Sequence, residues 1–209
     1  MADGTGAAER LTTSEFIQNP GSWSPDGRFL AFHQRPSTGS SPTARDIWIM
    51  PLEGERKPQS ILQTQFNESA PVFSPDGRWL AYISDESGRN EIYVRPFPKV
   101  EEGKWQISTD GGVEPRWAAN GQELFYRTGS GNQMMAVDMT TEPTFGAGTP
   151  RLLFEGVYTR SAGGAAFYDV TGDGQRFVMV QAGEQEAGAS QINVVLNWFE
   201  ELKRLVPTN

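Results

Sequence analysis

Short apolar runs recur along the chain in pairs, and each pair is joined by a tight turn that ends in glycine. The turn glycines are Gly27, Gly77, Gly121 and Gly174, so that successive copies are 50, 44 and 53 residues apart. A repeat of about 40 to 50 residues that holds four short strands is typical of a β-propeller blade. The pattern therefore predicts an all-β propeller built from four repeats of four-stranded antiparallel blades.

The residues of the turn explain why each pair of runs is predicted to be a hairpin. Pro25 and Pro75 preset the first central position near φ −65°, and the Asp or Asn that follows tolerates the next conformation. The glycine that ends each turn can adopt positive φ without a steric cost. Apolar and aromatic residues stand at fixed distances on both sides of all four turns.

Two further strands are predicted between one turn and the next. The third strands are residues 46–50, 91–95, 133–137 and 191–196, and the fourth strands are residues 60–63, 105–108 and 151–154. Many of these runs are apolar at consecutive positions, which indicates sheets that are packed on both faces by neighbouring blades.

The last copy has no fourth strand of its own, whereas residues 9–13 precede the first copy and resemble the missing piece. In one arrangement this N-terminal strand completes the last blade and closes a four-blade ring, which hides two sheet edges. In the other, the chain is an open arc whose ends pair with another copy, so that a homo-oligomer closes a larger ring. Residues 1–209 are expected to form a single propeller or a fragment of one, with a short capping helix at residues 198–206.

The charge and the composition of the chain limit the kinds of partner that it is expected to bind. The formal net charge of −8 provides no basic surface for phosphates, so nucleic acid is not an expected partner. The first ten residues do not read as a signal peptide, and no apolar run approaches 18 residues. The chain as given is expected to be soluble, without a signal peptide and without membrane insertion of its own.

Two copies of the repeat carry a family resemblance. Residues 23–32 read Trp-Ser-Pro-Asp-Gly-Arg-Phe-Leu-Ala-Phe, and residues 73–82 read Phe-Ser-Pro-Asp-Gly-Arg-Trp-Leu-Ala-Tyr. Their third strands begin Asp-Ile-Trp and Glu-Ile-Tyr. This pattern resembles TolB-type propeller repeats over essentially the whole chain, although residues 118–121 and 171–174 depart from the Ser-Pro-Asp-Gly form.

The two ends of the chain resemble a narrower group. Residues 2–12 and 193–203 are similar to the C-terminal propeller of bacterial serine/threonine protein kinases of the eukaryotic type. The resemblance implies a sensor or interaction module that follows a membrane span, and thus an extracytoplasmic part of a longer signalling protein. Kinase chemistry is not expected here, because His33 is followed by Gln34 rather than by the Arg-Asp of a catalytic loop.

Polar residues in the loops that enter the innermost strands are the candidates for binding, since these loops form one rim of a propeller. The candidate rim residues are Asn19, Asn67, Glu68, Glu114, Arg116 and Arg160. The main hypothesis is a noncatalytic module that binds a protein, peptide or small molecule at this rim, without a catalytic residue or a required cofactor.

The alternative hypothesis is a metal-dependent hydrolase that acts from the propeller channel on esters, lactones or phosphotriesters. Asn19, Asn67, Glu68 and Glu114 would hold Ca²⁺ or another divalent cation, because such ions take carboxylate and amide oxygens. His33, the only histidine of the chain, is expected to be structural. Residues 85–91 lack the spacing of a twelve-residue calcium loop and are predicted to form an acidic turn.

Overall fold

A computed structural model describes residues 8–37, 45–142, 144–160 and 166–181 of the chain. Blade 1 contains β1 (Ile17–Trp23), β2 (Phe29–Arg35), β3 (Asp46–Pro51) and β4 (Gln59–Leu62), and blade 2 contains β5 (Glu68–Phe73), β6 (Trp79–Ser84), β7 (Glu91–Pro96) and β8 (Trp105–Gln106). Blade 3 contains β9 (Val113–Trp117), β10 (Glu123–Arg127), β11 (Gln133–Thr140), β12 (Gly146–Ala147) and β13 (Arg151–Glu155), and blade 4 contains β14 (Tyr168–Val170) and β15 (Phe177–Met179). A 3-10 turn at Val100–Glu102 precedes β8. Within these ranges, no helix has the length and apolar character needed to cross a membrane.

The strands of each blade pair with their neighbours in the sequence, and all the pairs are antiparallel. The strand order is β1-β2-β3-β4 in blade 1 and β5-β6-β7-β8 in blade 2. In blade 3, β13 takes the fourth position beside β11, while the short β12 pairs with the far end of β11. The all-β architecture of antiparallel blades is confirmed for three repeats, and the fourth is described as the hairpin β14-β15. The predicted strand 191–196 and helix 198–206 lie outside the described residues.

The four turns share one backbone geometry. Gly27, Gly77, Gly121 and Gly174 have φ of 72°, 71°, 72° and 71°. In each turn the glycine N–H donates to the carbonyl oxygen three residues earlier, at 2.8 to 2.9 Å. The predicted hairpins are therefore confirmed.

Side chains lock the first turn from within. The Ser24 hydroxyl donates to Asp26 Oδ1 at 2.5 Å and accepts the Phe29 N–H at 2.9 Å, while Asp26 Oδ1 accepts the Arg28 N–H at 3.0 Å. The turn of blade 2 repeats this network with Ser74 and Asp76. These hydrogen bonds satisfy backbone donors that the tight turn leaves without a ladder partner.

The two turns that lack proline form the same structure because the acceptor side chain is retained. Asn120 Oδ1 accepts the Gln122 N–H at 2.9 Å, and Asp173 Oδ1 accepts the Gln175 N–H at 3.0 Å. The Asx side chain and the glycine are thus the shared requirement of the turn, whereas proline only presets one dihedral angle.

The hydrophobic core lies between the blades. One buried cluster joins blades 1 and 2, a second joins blades 2 and 3, and a third joins blade 3 to the hairpin of blade 4. Hydrogen bonds cross the same interfaces: the Phe73 N–H donates to Ser22 Oγ at 2.8 Å, and Trp117 Nε1 donates to the Val72 carbonyl at 3.2 Å. Each blade is therefore stabilised mainly by its neighbours.

The prediction of a strand at residues 9–13 is wrong. These residues carry no strand in the structure, and Glu9 forms an ion pair with Arg56 of blade 1 at 2.6 Å. Leu11 is the only apolar residue of the stretch, so pairing it into a sheet would bury little apolar surface. Closure of a four-blade ring by this segment is not seen among the described residues.

The turn geometry generates a stability prediction. Gly27→Ala should destabilise the protein by about 1 kcal/mol, because alanine pays a steric cost at positive φ. A Cβ at Gly27 would meet no atom within 4 Å, so the backbone conformation alone sets the cost. Thermal unfolding should show a midpoint about 2 to 4 °C lower.

Gly172→Ala is the matched control. Gly172 belongs to the equivalent turn of blade 4, has equally open surroundings and does not have a left-handed φ. The control should unfold at the temperature of the unmodified protein or slightly above it, because alanine at an ordinary φ lowers the conformational entropy of the unfolded chain. Equal melting temperatures for the two variants would contradict the role assigned to the turn glycine.

Candidate functional site

The rim is the edge of the arc at which the innermost strands β1, β5 and β9 begin. In blade 2, two hydrogen bonds between Asn67 and Asp85 stabilise the rim. The Asn67 N–H donates to Asp85 Oδ1 at 2.8 Å, and Asn67 Nδ2 donates to Asp85 Oδ2 at 2.7 Å. Asp85 begins the predicted acidic turn, which the structure confirms through a hydrogen bond from the Gly88 N–H to the Asp85 carbonyl at 2.8 Å.

Glu68 follows Asn67 as the first residue of β5, and its side chain is buried. The Thr64 hydroxyl donates to Glu68 Oε1 at 2.5 Å. Glu68 Oε2 is buried and accepts no hydrogen bond from the part of the chain that the structure describes. Burial raises the pKa of Glu68 to about 7, and the nearby carboxylates of Asp46 and Asp85 act in the same direction.

In blade 3 the rim residue Glu114 is engaged by an arginine. Arg127 Nη1 lies 3.2 Å from Glu114 Oε2, and both side chains are buried. The Arg127 guanidinium also donates to the carbonyl oxygens of Gly131, Thr159 and Tyr158. A buried guanidinium is stable only when its donors and its charge are matched in this way.

The backbone at this point is unusual as well. Glu114 has φ 57°, and Ala70 at the corresponding place in β5 has φ 52°. Both lie where the pairing of the innermost strand with its neighbour shifts register. A positive φ at a non-glycine residue is unfavourable and is kept only when contacts with the surrounding structure stabilise it. For Glu114, the ion pair with Arg127 is such a contact.

The remaining candidates lie within or after strands rather than at the starts of the innermost strands, and Arg116 is the fourth of the five residues of β9. Asn19 lies in β1, is half-buried and pairs in register with His33 of β2. Arg116 is half-buried in β9, and its Nε atom is buried without a hydrogen-bond partner in the described ranges. Arg160 is exposed after β13 and donates to the Ser130 carbonyl at 3.2 Å.

His33 is buried between blades 1 and 2, and its Nδ1 accepts the N–H of Ala70 at 3.4 Å. Burial, together with the charges of Arg45 and Arg35, lowers the pKa of His33 to about 4. The imidazole is therefore neutral at neutral pH and enclosed by protein, which agrees with the expected structural role.

The proposed metal ligands do not converge. Asn67 is held by Asp85, and Glu114 is held by Arg127, in different blades. Among the residues with described positions, no group of three or more His, Asp or Glu side chains is arranged to hold a metal ion. The hydrolase hypothesis therefore gains no ligand set from this geometry.

A groove of about 800 Å³ lies at the opposite edge of the arc, between the turns of blades 2 and 3. Its acidic side chains are paired with arginines: Arg78 Nε lies 2.9 Å from Asp76 Oδ2, and Arg78 Nη1 lies 2.9 Å from Glu142 Oε1. Arg151 pairs with Glu123 in the same groove. Because these charges are neutralised within the protein, the rim offers the stronger recognition chemistry.

Sequence reasoning missed two buried charges that shape the rim. Arg127 stands where blades 1 and 2 have His33 and Ile83, so the repeat pattern gave no sign of an ion pair. Glu91 belongs to the acidic turn by sequence, yet it is buried and accepts the Gly111 N–H at 2.9 Å. This hydrogen bond stabilises the loop between β8 and β9. The same loop leads into the start of β9, where the rim of blade 3 lies.

The raised pKa of Glu68 generates a prediction about pH. The folded protein holds the proton of Glu68 more tightly than the unfolded chain, so the associated stability is present at pH 4 and is lost as the pH rises through 7. Glu68→Gln keeps a neutral acceptor for Thr64. The variant should be more stable than the unmodified protein at pH 8, by on the order of 2 kcal/mol, and similar to it at pH 4.

Urea unfolding at the two pH values measures this difference. Glu101→Gln is the control, because Glu101 is exposed in the 3-10 turn, and it should change stability equally little at both pH values. A Glu68→Gln variant that is no more stable than the unmodified protein at pH 8 would contradict the assignment.

The chain is similar to known proteins both in sequence and in fold. The Tol-Pal system protein TolB of Pelagibacter ubique is 36% identical over 74 residues, which are 34% of this chain and 16% of that protein. TolB from Acinetobacter baumannii superposes with a TM-score of 0.55 at 19% identity, covering 79% of this chain and 40% of that chain. A puromycin-hydrolyzing peptidase of Mycobacterium tuberculosis superposes with a TM-score of 0.57 at 17% identity, covering 79% of this chain and 28% of that chain.

The chain spans about a sixth of the length of the curated TolB relatives that it matches, and the two superpositions support the fold alone. A family model described as the TolB beta propeller domain matches residues 2–165, which is well over half of the chain. The matched region includes the repeats at Gly27, Gly77 and Gly121, whose blades pack in sequence order. The chain therefore belongs to the TolB beta propeller domain family.

Proposed function

We propose that this chain is a noncatalytic propeller module that binds a protein or peptide, or a small ligand with the same polar groups, through its rim. The observation that carries the proposal is the half-buried Arg116, whose Nε donor is buried without a partner in the described ranges. An unsatisfied buried donor costs free energy, and a carbonyl or carboxylate of a ligand would relieve that cost.

The other rim groups support recognition rather than chemistry. Glu68 Oε2 is a buried acceptor without a donor among the described residues, so the rim offers an unmatched acceptor as well as an unmatched donor. A peptide main chain supplies both complementary groups. Asn67 with Asp85, and Glu114 with Arg127, are committed to each other and keep the rim rigid, which reduces the entropy lost on binding.

We further propose that the module is the sensor portion of a bacterial signalling kinase and lies outside the cytoplasm, behind a membrane span of the longer protein. The likeness of residues 2–12 and 193–203 to kinase-associated propellers supports this assignment. The proposal includes association between copies of the chain, because among the described residues the first and last blades each have no neighbouring blade on one side.

Selection from a displayed random-peptide library tests the binding function. The unmodified protein should select peptides, and Arg116→Ala should weaken their binding by about 10-fold or more, since a hydrogen bond to a charged group is worth about 1.5 to 3 kcal/mol. Gln122→Ala is the matched control, because Gln122 is exposed in a turn at the opposite edge. Binding is measured by titration of a labelled selected peptide.

Two results would contradict binding at Arg116, and a third would contradict the rim as the binding surface. One is a selection that yields no peptide binding above background, and the other is a selected peptide that binds Arg116→Ala as tightly as the unmodified protein. Equal losses in Arg116→Ala and Gln122→Ala would likewise show that the rim is not the binding surface.

A further inference from the structure

Blade 1 presents an apolar face that no preceding blade among the described residues covers. Trp23 of β1 stands four positions before its turn glycine and is 56% exposed, whereas its counterparts Phe73 and Trp117 are 5% and 7% exposed. Phe73 and Trp117 are buried because they pack into the cores shared with blades 1 and 2 respectively. Within the described ranges, no blade packs against the Trp23 side of blade 1 in this way.

The opposite face of blade 4 also has exposed apolar side chains that no neighbouring blade among the described residues covers. Val178 of β15 stands four positions after its turn glycine and is 70% exposed, and Val180 on the same face is 50% exposed. The counterparts of Val178 in blades 1 to 3 are Ala31, Ala81 and Phe125, which are 0%, 0% and 1% exposed. Those three are covered by the blade that follows each of them.

The two open faces are the two halves of an interface that the chain already builds. Ala31 and Phe73 share the core between blades 1 and 2, and Ala81 and Trp117 share the core between blades 2 and 3. The open face of blade 4 therefore corresponds to the Ala31 and Ala81 side, and the open face of blade 1 corresponds to the Phe73 and Trp117 side. Each lacks the partner that the other provides.

Resting on the association included in the proposed function, we propose that blade 4 of one copy packs against blade 1 of a second copy, head to tail, so that two copies close one ring. Propellers hold about four to eight blades, which leaves room for two copies of a four-repeat chain and no more. A contact between two different surfaces that closes in this way gives two equivalent interfaces per ring.

Trp23→Glu and Val178→Glu test the arrangement. Both side chains are exposed in a single copy, so the substitutions should leave its fold unchanged, which circular dichroism checks. Each places a carboxylate in a proposed apolar contact and should weaken association at least about 100-fold. Val157→Glu is the control of equal charge, because Val157 is 75% exposed outside both end faces.

Sedimentation over a range of concentrations gives the readout. The unmodified protein and Val157→Glu should reach twice the 23.1 kDa chain mass, and each end-face variant should remain at the mass of one chain. Mixing the two end-face variants should restore pairs, because the mixture contains one intact blade 4 face and one intact blade 1 face. Complementation of this kind requires that the two surfaces be different.

Several outcomes would overturn the proposal. An unmodified protein that stays at the mass of one chain leaves the faces to another occupant, and sensitivity to Trp23→Glu alone indicates a symmetric contact between blade 1 faces. The mixed pair keeps one intact interface and has one interface with both substitutions, so it should form more weakly than the unmodified pair. A mixture that forms no more pairs than either variant alone contradicts head-to-tail packing. Peptide binding by the end-face variants is measured separately, so failure of the ring and failure of the rim are distinguishable.

Discussion

The constraint on which this structure depends is that every blade is apolar on both faces. Ala81 and Ile83 of blade 2 pack toward blade 3, while Leu80 and Tyr82, which alternate with them along β6, pack toward blade 1. Alternating side chains of one strand thus enter two different cores, as the pleat of a strand requires. A sheet of this kind is not stable alone, because both of its apolar faces would be exposed to water. The repeats supply neighbouring sheets that cover these faces.

Much of this arrangement follows from the sequence, because the turn signals are local. A glycine at positive φ and an Asx acceptor lie within one four-residue turn, so the hairpins at Gly27 and Gly77 were predictable to within a residue. The strand β3, which begins with the Asp-Ile-Trp motif, was equally predictable. The short β12 and the absence of a strand at residues 9–13 depend on what the rest of the fold leaves to pair with. Local patterns do not contain that information.

The starts of the innermost strands were predictable from the sequence, whereas the contacts that side chains make there were predictable only in part. Register from the turn glycines placed Asn67 and Glu114 at the starts of innermost strands, as the structure has them. Their partners lie 18 and 13 residues away, at Asp85 and Arg127, and no spacing rule in the sequence joins them. Burial of Glu68 was equally hidden, since a glutamate at the start of a strand is ordinarily solvated.

The stacking of adjacent turns has a consequence for how the fold opens. A Cβ added at Gly77 would lie 3.4 Å from Cδ of Pro25. A Cβ added at Gly121 would lie 3.7 Å from Cδ of Pro75. The first three turns thus stack on one another, and cooperativity passes from each blade to its nearest neighbour, as in a one-dimensional array. Opening of one blade therefore exposes an apolar face of its neighbour, and the loss of structure spreads from blade to blade.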